Sequence, residues 1–121
     1  MNKKNPDTGL KRILSAFGHA LDGLKEVFTH ETSFRQEVLL AGVSIPLVFW
    51  LEVDTVATAL MIGSIFLILI AELANSAIES VVDRISLEQH ALSKRAKDTG
   101  SAMVLVSFIN AMFVWGIILA G

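Results

Sequence analysis

Charged residues are absent from three long runs of this chain, and the polar positions crowd into the gaps between them. Residues 38–51 (VLLAGVSIPLVFWL), 55–71 (TVATALMIGSIFLILIA) and 99–121 (TGSAMVLVSFINAMFVWGIILAG) contain no Asp, Glu, Lys or Arg. A helix that crosses a bilayer needs roughly 20 mainly apolar residues. The third run is long enough by itself. The second reaches that length because its helical pattern continues past Glu72. The first is short and contains Pro46, and it becomes long enough when extended back to Phe34. The pattern therefore predicts membrane-spanning helices over about 34–51, 55–84 and 99–121.

Ahead of the first span, Leu10, Ile13, Leu14, Phe17, Leu21, Leu24, Val27 and Phe28 recur at spacings of three and four. That is one face of an amphipathic helix over residues 9–29. Beside three spans, it is expected to lie in the cytoplasmic interface of the bilayer; a face for a soluble partner is the other reading. Residues 1–8 read as a frayed polar start. The surface helix should stop near Thr29–Thr32, and Ser33-Phe34-Arg35-Gln36 fits a capping box opening the first span. Asp54 and Asp98 stand where the second and third spans would be capped. The expected fold is an all-α membrane protein, a single domain over 1–121 made of one surface helix and three spans.

Composition narrows the chemistry. The chain has 121 residues, 53% of them hydrophobic and 18% charged, so three spans leave no room for a separate soluble domain. The absence of cysteine excludes a disulfide framework, a thiolate nucleophile and a Cys-based metal site. The three histidines, His19, His30 and His90, form no HExxH motif. A net charge of -2 offers no basic field for nucleic acid, which is not an expected partner. Charges recur throughout residues 1–37, so no cleavable signal peptide is expected. Lys3, Lys4, Lys11, Arg12, Lys25 and Arg35 precede the first span, and Arg84, Lys94, Arg95 and Lys97 lie between the second and third. The turn Glu52-Val53-Asp54 has no basic residue. This bias places the N-terminus and second loop in the cytoplasm and the C-terminus outside, which in a bacterium means a multi-pass inner-membrane protein with a periplasmic C-terminus.

The polar face of the second span carries the candidate chemistry. Glu72, Asn75, Ser76, Glu79 and Asp83 fall within an arc of about 100° on a helix. The uncharged run before Glu72 sets that residue about 25 Å along the helix, just inside the cytoplasmic boundary. Ionisable residues at membrane depth are rare and usually functional. Three acids on one stripe need cations, either Lys97 and Arg84 or a divalent ion such as magnesium, which prefers carboxylate and phosphate oxygens. Plainer readings exist for each: a solvated helix face for Glu79 and Asp83, an interfacial glutamate for Glu72, and interhelical hydrogen bonds for Asn75 and Ser76.

The run Glu72-Leu-Ala-Asn75-Ser76-Ala-Ile-Glu79-Ser-Val-Val-Asp83-Arg84 closely resembles the E-x-x-N-[ST]-A-[IL]-E-x-x-[VI]-D signature of the prokaryotic diacylglycerol kinase family. Arg95-Ala-Lys97-Asp98-Thr-Gly100-Ser101-Ala and Glu31-Thr-Ser-Phe34-Arg35-Gln36-Glu37 match as well, and the resemblance covers nearly the whole chain. It implies a homotrimer of three-span subunits, with active sites shared between protomers at the cytoplasmic interface. The implied reaction moves the γ-phosphate of ATP, with magnesium, onto the hydroxyl of diacylglycerol in the membrane, giving phosphatidic acid for phospholipid recycling.

The same resemblance implies roles for individual residues. Glu72 is the general base facing the lipid hydroxyl, and Asn75 orients Glu72 or the substrate. Glu31 and Glu79 are magnesium ligands that hold the ATP phosphates. Lys97 offsets phosphate charge, while Asp98, Glu88 and His90 contact nucleotide. Arg12 reaches the phosphate or the lipid head. His19 stands where the best-known members carry a tyrosine near the nucleotide, and an imidazole can also stack or hydrogen-bond. Trp50 and Ser101 match lipid-side positions. Four more of these residues have plainer readings: Asp98 as a helix cap, Trp50 as an interfacial anchor, His90 as an exposed side chain, and Arg12 as a snorkelling cation. An undecaprenol kinase shares the catalytic motif and is the alternative inside the family. A non-enzymatic membrane subunit or small cation transporter explains the acidic stripe, but not the surface helix together with Lys97-Asp98.

Overall fold

The computed structural model describes residues 8–121. Of the polar start expected over residues 1–8, all but Thr8 lies outside the described residues, Lys3 and Lys4 included. Four helices follow one another: α1 (Gly9–His30), α2 (Thr32–Leu51), α3 (Thr55–Ile85) and α4 (Ala91–Ala120). α1 lies in one compact unit ending at Thr32, and Ser33–Gly121 form the other.

α1 has no buried residue, and Leu10, Ile13, Leu14, Phe17, Leu21, Leu24 and Phe28 are all exposed. Glu31 ends it in an extended conformation (φ -114°, ψ 109°), and its N–H donates to the Val27 carbonyl at 2.8 Å.

In the second unit, α2, α3 and α4 are each long and apolar enough to cross a membrane. Large apolar side chains such as Leu39, Val43, Ile70, Met112, Phe113 and Ile117 point outward. That surface suits hydrocarbon rather than water, and the chain is a membrane protein. Asp54 caps α3 as expected, its carboxylate accepting from Ala57 N–H at 2.9 Å. α3 and α4 pack closest, backbone to backbone. α2 joins them through side chains at a core of Ala41, Ile65, Ile68 and Ala111, ringed by Ile45, Leu69, Phe108 and Trp115.

One polar contact ties α4 to α3 inside this apolar bundle. Trp115 Nε1 donates to the Met61 carbonyl (3.3 Å) and to Ser64 Oγ (3.1 Å). Where no water competes, an indole N–H needs such a partner. Trp115→Phe should therefore lower stability by about 1 kcal/mol, read as an earlier midpoint of unfolding in denaturing detergent, with the helical signal of the folded protein unchanged.

Two helix starts differ from the sequence pattern. α4 opens at Ala91 rather than at the charge-free run beginning at Thr99, because His90 is its cap: His90 Nδ1 accepts from Leu92 N–H at 3.0 Å. Asp98 consequently sits inside the helix and does not cap it; its carboxylate instead accepts from Lys94, four residues earlier, at 2.5 Å. α2 opens at Thr32, so Ser33 lies in its first turn and not at a cap.

Candidate active site

The second half of α3 carries the acidic stripe from the interior to the surface. Glu72 is 4% exposed and Asn75 is 7% exposed, and Ser76 is buried with them. Glu79 is half-buried and Asp83 exposed. Small residues let the neighbouring helix close over the buried part. Gly100 of α4 lies directly against Asn75, where a Cβ would run into the Asn75 amide oxygen. Asn75 Oδ1 is buried without a hydrogen-bond partner. Such unpaired polar atoms are uncommon in folded proteins, and one beside a buried carboxyl marks a place where a donor is expected.

A second buried acid faces Glu72. Glu37 of α2 is 7% exposed and lies close to Glu72. Glu37 Oε1 is buried without a hydrogen-bond partner. Glu37 closes the Glu31–Glu37 motif, and the resemblance implies no role for it. The signal was present: Phe34, Glu37, Ala41, Ser44 and Val48 recur at spacings of three and four, and all five are buried. A glutamate in a stripe that is otherwise apolar or small is a buried acid by position.

Beyond the buried acids, the exposed end is polar. Lys97 Nζ of α4 pairs with Asp83 Oδ1 of α3 at 2.7 Å. Glu79 adds to the negative field at Lys97. Between the end of α3, the connecting loop and the start of α4 lies a hollow of about 370 Å³, lined by Asp83, Ser86, Glu88, His90, Lys97 and Asp98 among others. Four residues assigned to nucleotide by resemblance, Glu88, His90, Lys97 and Asp98, therefore share one concavity. In the loop, Glu88 N–H donates to Ser86 Oγ at 3.0 Å. The His90 cap occupies Nδ1 and leaves Nε2 for other contacts.

The remaining sequence-derived residues lie elsewhere. Arg12 and His19 are exposed on α1, two turns apart and so on the same side of that helix. Glu31 is the half-buried corner residue after it. Ser101 is exposed on α4, next to Gly100. Trp50, 76% exposed, stands near the opposite end of α2 from Glu37, about 20 Å along the helix axis. Along α3 and α4 runs an apolar hollow of about 610 Å³, whose lining includes Leu67, Ile70, Ala74, Met103 and Val106, with Asn110 as a polar member.

Among the described residues, no three His, Asp or Glu side chains gather into a metal site. Magnesium bound with nucleotide asks for less, since one or two carboxylates and the phosphates suffice. Glu79, half-buried at the inner edge of the polar end, provides hard oxygen ligands of that kind. Taken together, α3 carries a buried acid toward the apolar side, and the end of α3, the loop and α4 set acidic and basic groups around a polar hollow on the other. That arrangement can bring an anionic, water-soluble donor to an acceptor dissolved in the membrane.

Known proteins resemble this chain over nearly its whole length. The family model described as prokaryotic diacylglycerol kinase matches residues 18–119. The chain is 45% identical over 115 residues to "Diacylglycerol kinase" of Escherichia coli K12, covering 95% of this chain and 94% of that protein. It is 53% identical over 114 residues to the protein of the same name from Pseudomonas aeruginosa, covering 94% and 93%. A third relative so named, from Haemophilus influenzae, is 47% identical over 112 residues, covering 93% and 95%.

Proposed function

The chain belongs to the prokaryotic diacylglycerol kinase family, and from that premise we propose that it transfers the γ-phosphate of ATP to the hydroxyl of diacylglycerol, giving phosphatidic acid. The observation that carries the mechanism is the depth of Glu72: a buried acid on the same helix face whose far end borders the polar hollow. The diacylglycerol hydroxyl lies at the membrane–water boundary, where a carboxylate at that depth can meet it.

Phosphoryl transfer asks for positioning, charge neutralisation and a destination for the hydroxyl proton. Glu72 takes the proton from the lipid O–H as that oxygen bonds to phosphorus, and the bond from phosphorus to the departing ADP breaks. Asn75, one turn away, orients the acid or the hydroxyl through its unpartnered amide oxygen. Lys97 releases Asp83 and turns to phosphate oxygens, and Asp98, Glu88 and His90 hold the nucleoside end in the hollow. Glu79, and by resemblance Glu31, would be the carboxylate ligands of magnesium, and bound magnesium would supply charge neutralisation at the phosphates. Arg12 and His19, on one side of α1, add a cation and an imidazole for phosphate and nucleotide. Trp50, Ser101 and the apolar hollow along α3 and α4 lie on the side of the acyl chains.

This reading places α1 in the cytoplasmic interface of a bacterial inner membrane, with the apolar stripe from Leu10 to Phe28 in the headgroup boundary. The distribution of Lys and Arg supports a cytoplasmic N-terminus and a periplasmic C-terminus. Assembly is as a homotrimer, which gives the outward apolar faces of the spans a protein partner as well as lipid.

The test is label transfer from γ-labelled ATP into extracted lipid, with diacylglycerol or undecaprenol supplied in the same membranes. Magnesium-dependent label in phosphatidic acid is expected. Faster labelling of undecaprenol would assign the chain to the alternative acceptor, and no label in either lipid would overturn the kinase reading. Glu79→Gln should raise the magnesium concentration for half-maximal rate by about tenfold. A magnesium titration identical to that of the unaltered protein removes Glu79 from the ligand set.

A further inference from the structure

We propose that copies of this chain join through a hydrogen bond at the depth of the bilayer, in which the Asn110 side-chain amide on α4 of one copy donates to the Gly42 backbone carbonyl on α2 of the next. The inference rests on the homotrimer reading above and deepens it by naming the two faces that meet.

The acceptor follows from covalent chemistry. A carbonyl inside an α-helix accepts from the N–H four residues further on. Four residues after Gly42 stands Pro46, inside α2, and proline has no N–H to give. The Gly42 carbonyl therefore lacks its α-helical donor, in a span where water does not replace it. Neighbouring helices are one of the means by which membrane proteins satisfy a carbonyl freed in this way. Gly42 also leaves that oxygen uncovered, since the residue is exposed and a Cβ added there would meet no other part of the chain within 4 Å.

The donor is Asn110, exposed on α4 at the end of the apolar hollow farthest from Gly100. It lies about 15 Å along the helix from that glycine, deep in the span. An amide turned toward hydrocarbon is costly until it finds a partner, and asparagine on a span bridges helices for that reason. The two groups stand at one level. Ala41 of α2 and Ala111 of α4 belong to the same buried core. Gly42 follows the first and Asn110 precedes the second, so donor and acceptor differ in depth by less than one turn. Each is exposed and sits about 100° around its helix from the core alanine, so the bond forms between copies and not within one. Copies related by rotation about the membrane normal share every depth, and a head-to-tail contact between two different faces closes into a ring. The neighbour's α2 then covers the deep end of the hollow. The other end, at Thr99 and Ala74 beside Gly100 and Asn75, stays open to an acyl chain.

The experiment measures dissociation of the full chain on dilution in mild detergent, by energy transfer between separately labelled copies. Asn110→Leu removes the donor. It should weaken association about threefold at each interface, or roughly 30-fold for three around a ring, with the helical signal unchanged. Pro46→Ala returns an N–H to the Gly42 carbonyl and satisfies it inside α2. Adding Asn110→Leu to Pro46→Ala should then change dissociation by no more than about twofold. Two residues that act separately on packing would show no such dependence on each other. The same cost of Asn110→Leu with and without Pro46→Ala overturns the proposal, and so does an Asn110→Leu protein that dissociates like the unaltered one.

A second measurement reads the contact directly. The chain has no cysteine, so a double variant with Gly42→Cys and Asn110→Cys holds the only two thiols. A disulfide requires Cα atoms within about 7 Å. Oxidised in membranes, the double variant should give covalent trimers, whereas either single variant gives dimers at most. Thiols joined within one chain, or left free, overturn the proposal. An unaltered protein that forms no oligomer rejects the homotrimer reading itself. An oligomer that forms but ignores Asn110→Leu rejects this contact alone.

Discussion

Glu72→Gln is expected to lower kcat by roughly a thousandfold while the protein remains folded and assembled. The substitution keeps the shape of the side chain and removes only its ability to take a proton. It also replaces a buried ionisable group with a neutral one at a position 4% exposed, where burying a charge is costlier than burying an amide. Stability and activity should thus move independently. KM for ATP should stay near its original value, because the polar hollow lined by Glu88, His90, Lys97 and Asp98 contains no part of Glu72. Single-turnover rates with radiolabelled ATP, beside a detergent unfolding curve, separate the two effects. Turnover close to that of the unaltered protein would falsify the assignment of Glu72 as the base.

Those independent responses follow from an architecture that was largely legible along the chain. The three charge-free runs locate α2, α3 and α4 because lipid tolerates few charges, so a missing Lys or Glu carries as much information as a present Leu. The acidic stripe of α3 was readable because period 3.6 places Glu72, Asn75 and Ser76 together, and these three are the buried polar residues of that helix below the core serine, Ser64. Boundaries were less legible. Hydropathy alone puts the start of α4 at Thr99, whereas the helix projects past the apolar run, with His90 as its cap. A polar helical extension of a span has no hydropathy signature. Asp98 resembled a cap because it precedes the apolar run, yet Lys94 four residues before it is the i,i+4 partner expected inside a helix.

Glu37 shows a different limit. Its spacing within the buried face of α2 was visible, but its meaning depends on Glu72 of another helix, and pairing between helices is not encoded in either helix alone. The same holds for Gly100. In sequence it is a small residue near the start of an apolar run. In the fold it is what permits α4 to pass over Asn75.

Gly100→Ala accordingly tests whether the position of the Asn75 amide matters to the reaction. Helix propensity by itself favours alanine over glycine by about 1 kcal/mol in a helix interior, so an indifferent site would become more stable with no loss of rate. Here the added Cβ meets Asn75 Oδ1. The end of a flexible side chain usually yields cheaply, but Asn75 is 7% exposed and has little free space to turn into. Either its amide rotates away from Glu72 or α4 moves out. A displacement of about 1 Å at a catalytic group can cost about a hundredfold in rate, and kcat should fall by about that much. The Lys97–Asp83 pair and the polar hollow lie at the far end of the stripe, so KM for ATP and the magnesium titration should change little. The double variant Gly100→Ala with Asn75→Ala separates packing from chemistry. Removing the amide relieves the collision and should restore stability, whereas kcat should stay low because the orienting group is gone. If Gly100→Ala is both more stable and fully active, the placement of Asn75 contributes nothing to transfer and its part in orienting Glu72 must be withdrawn.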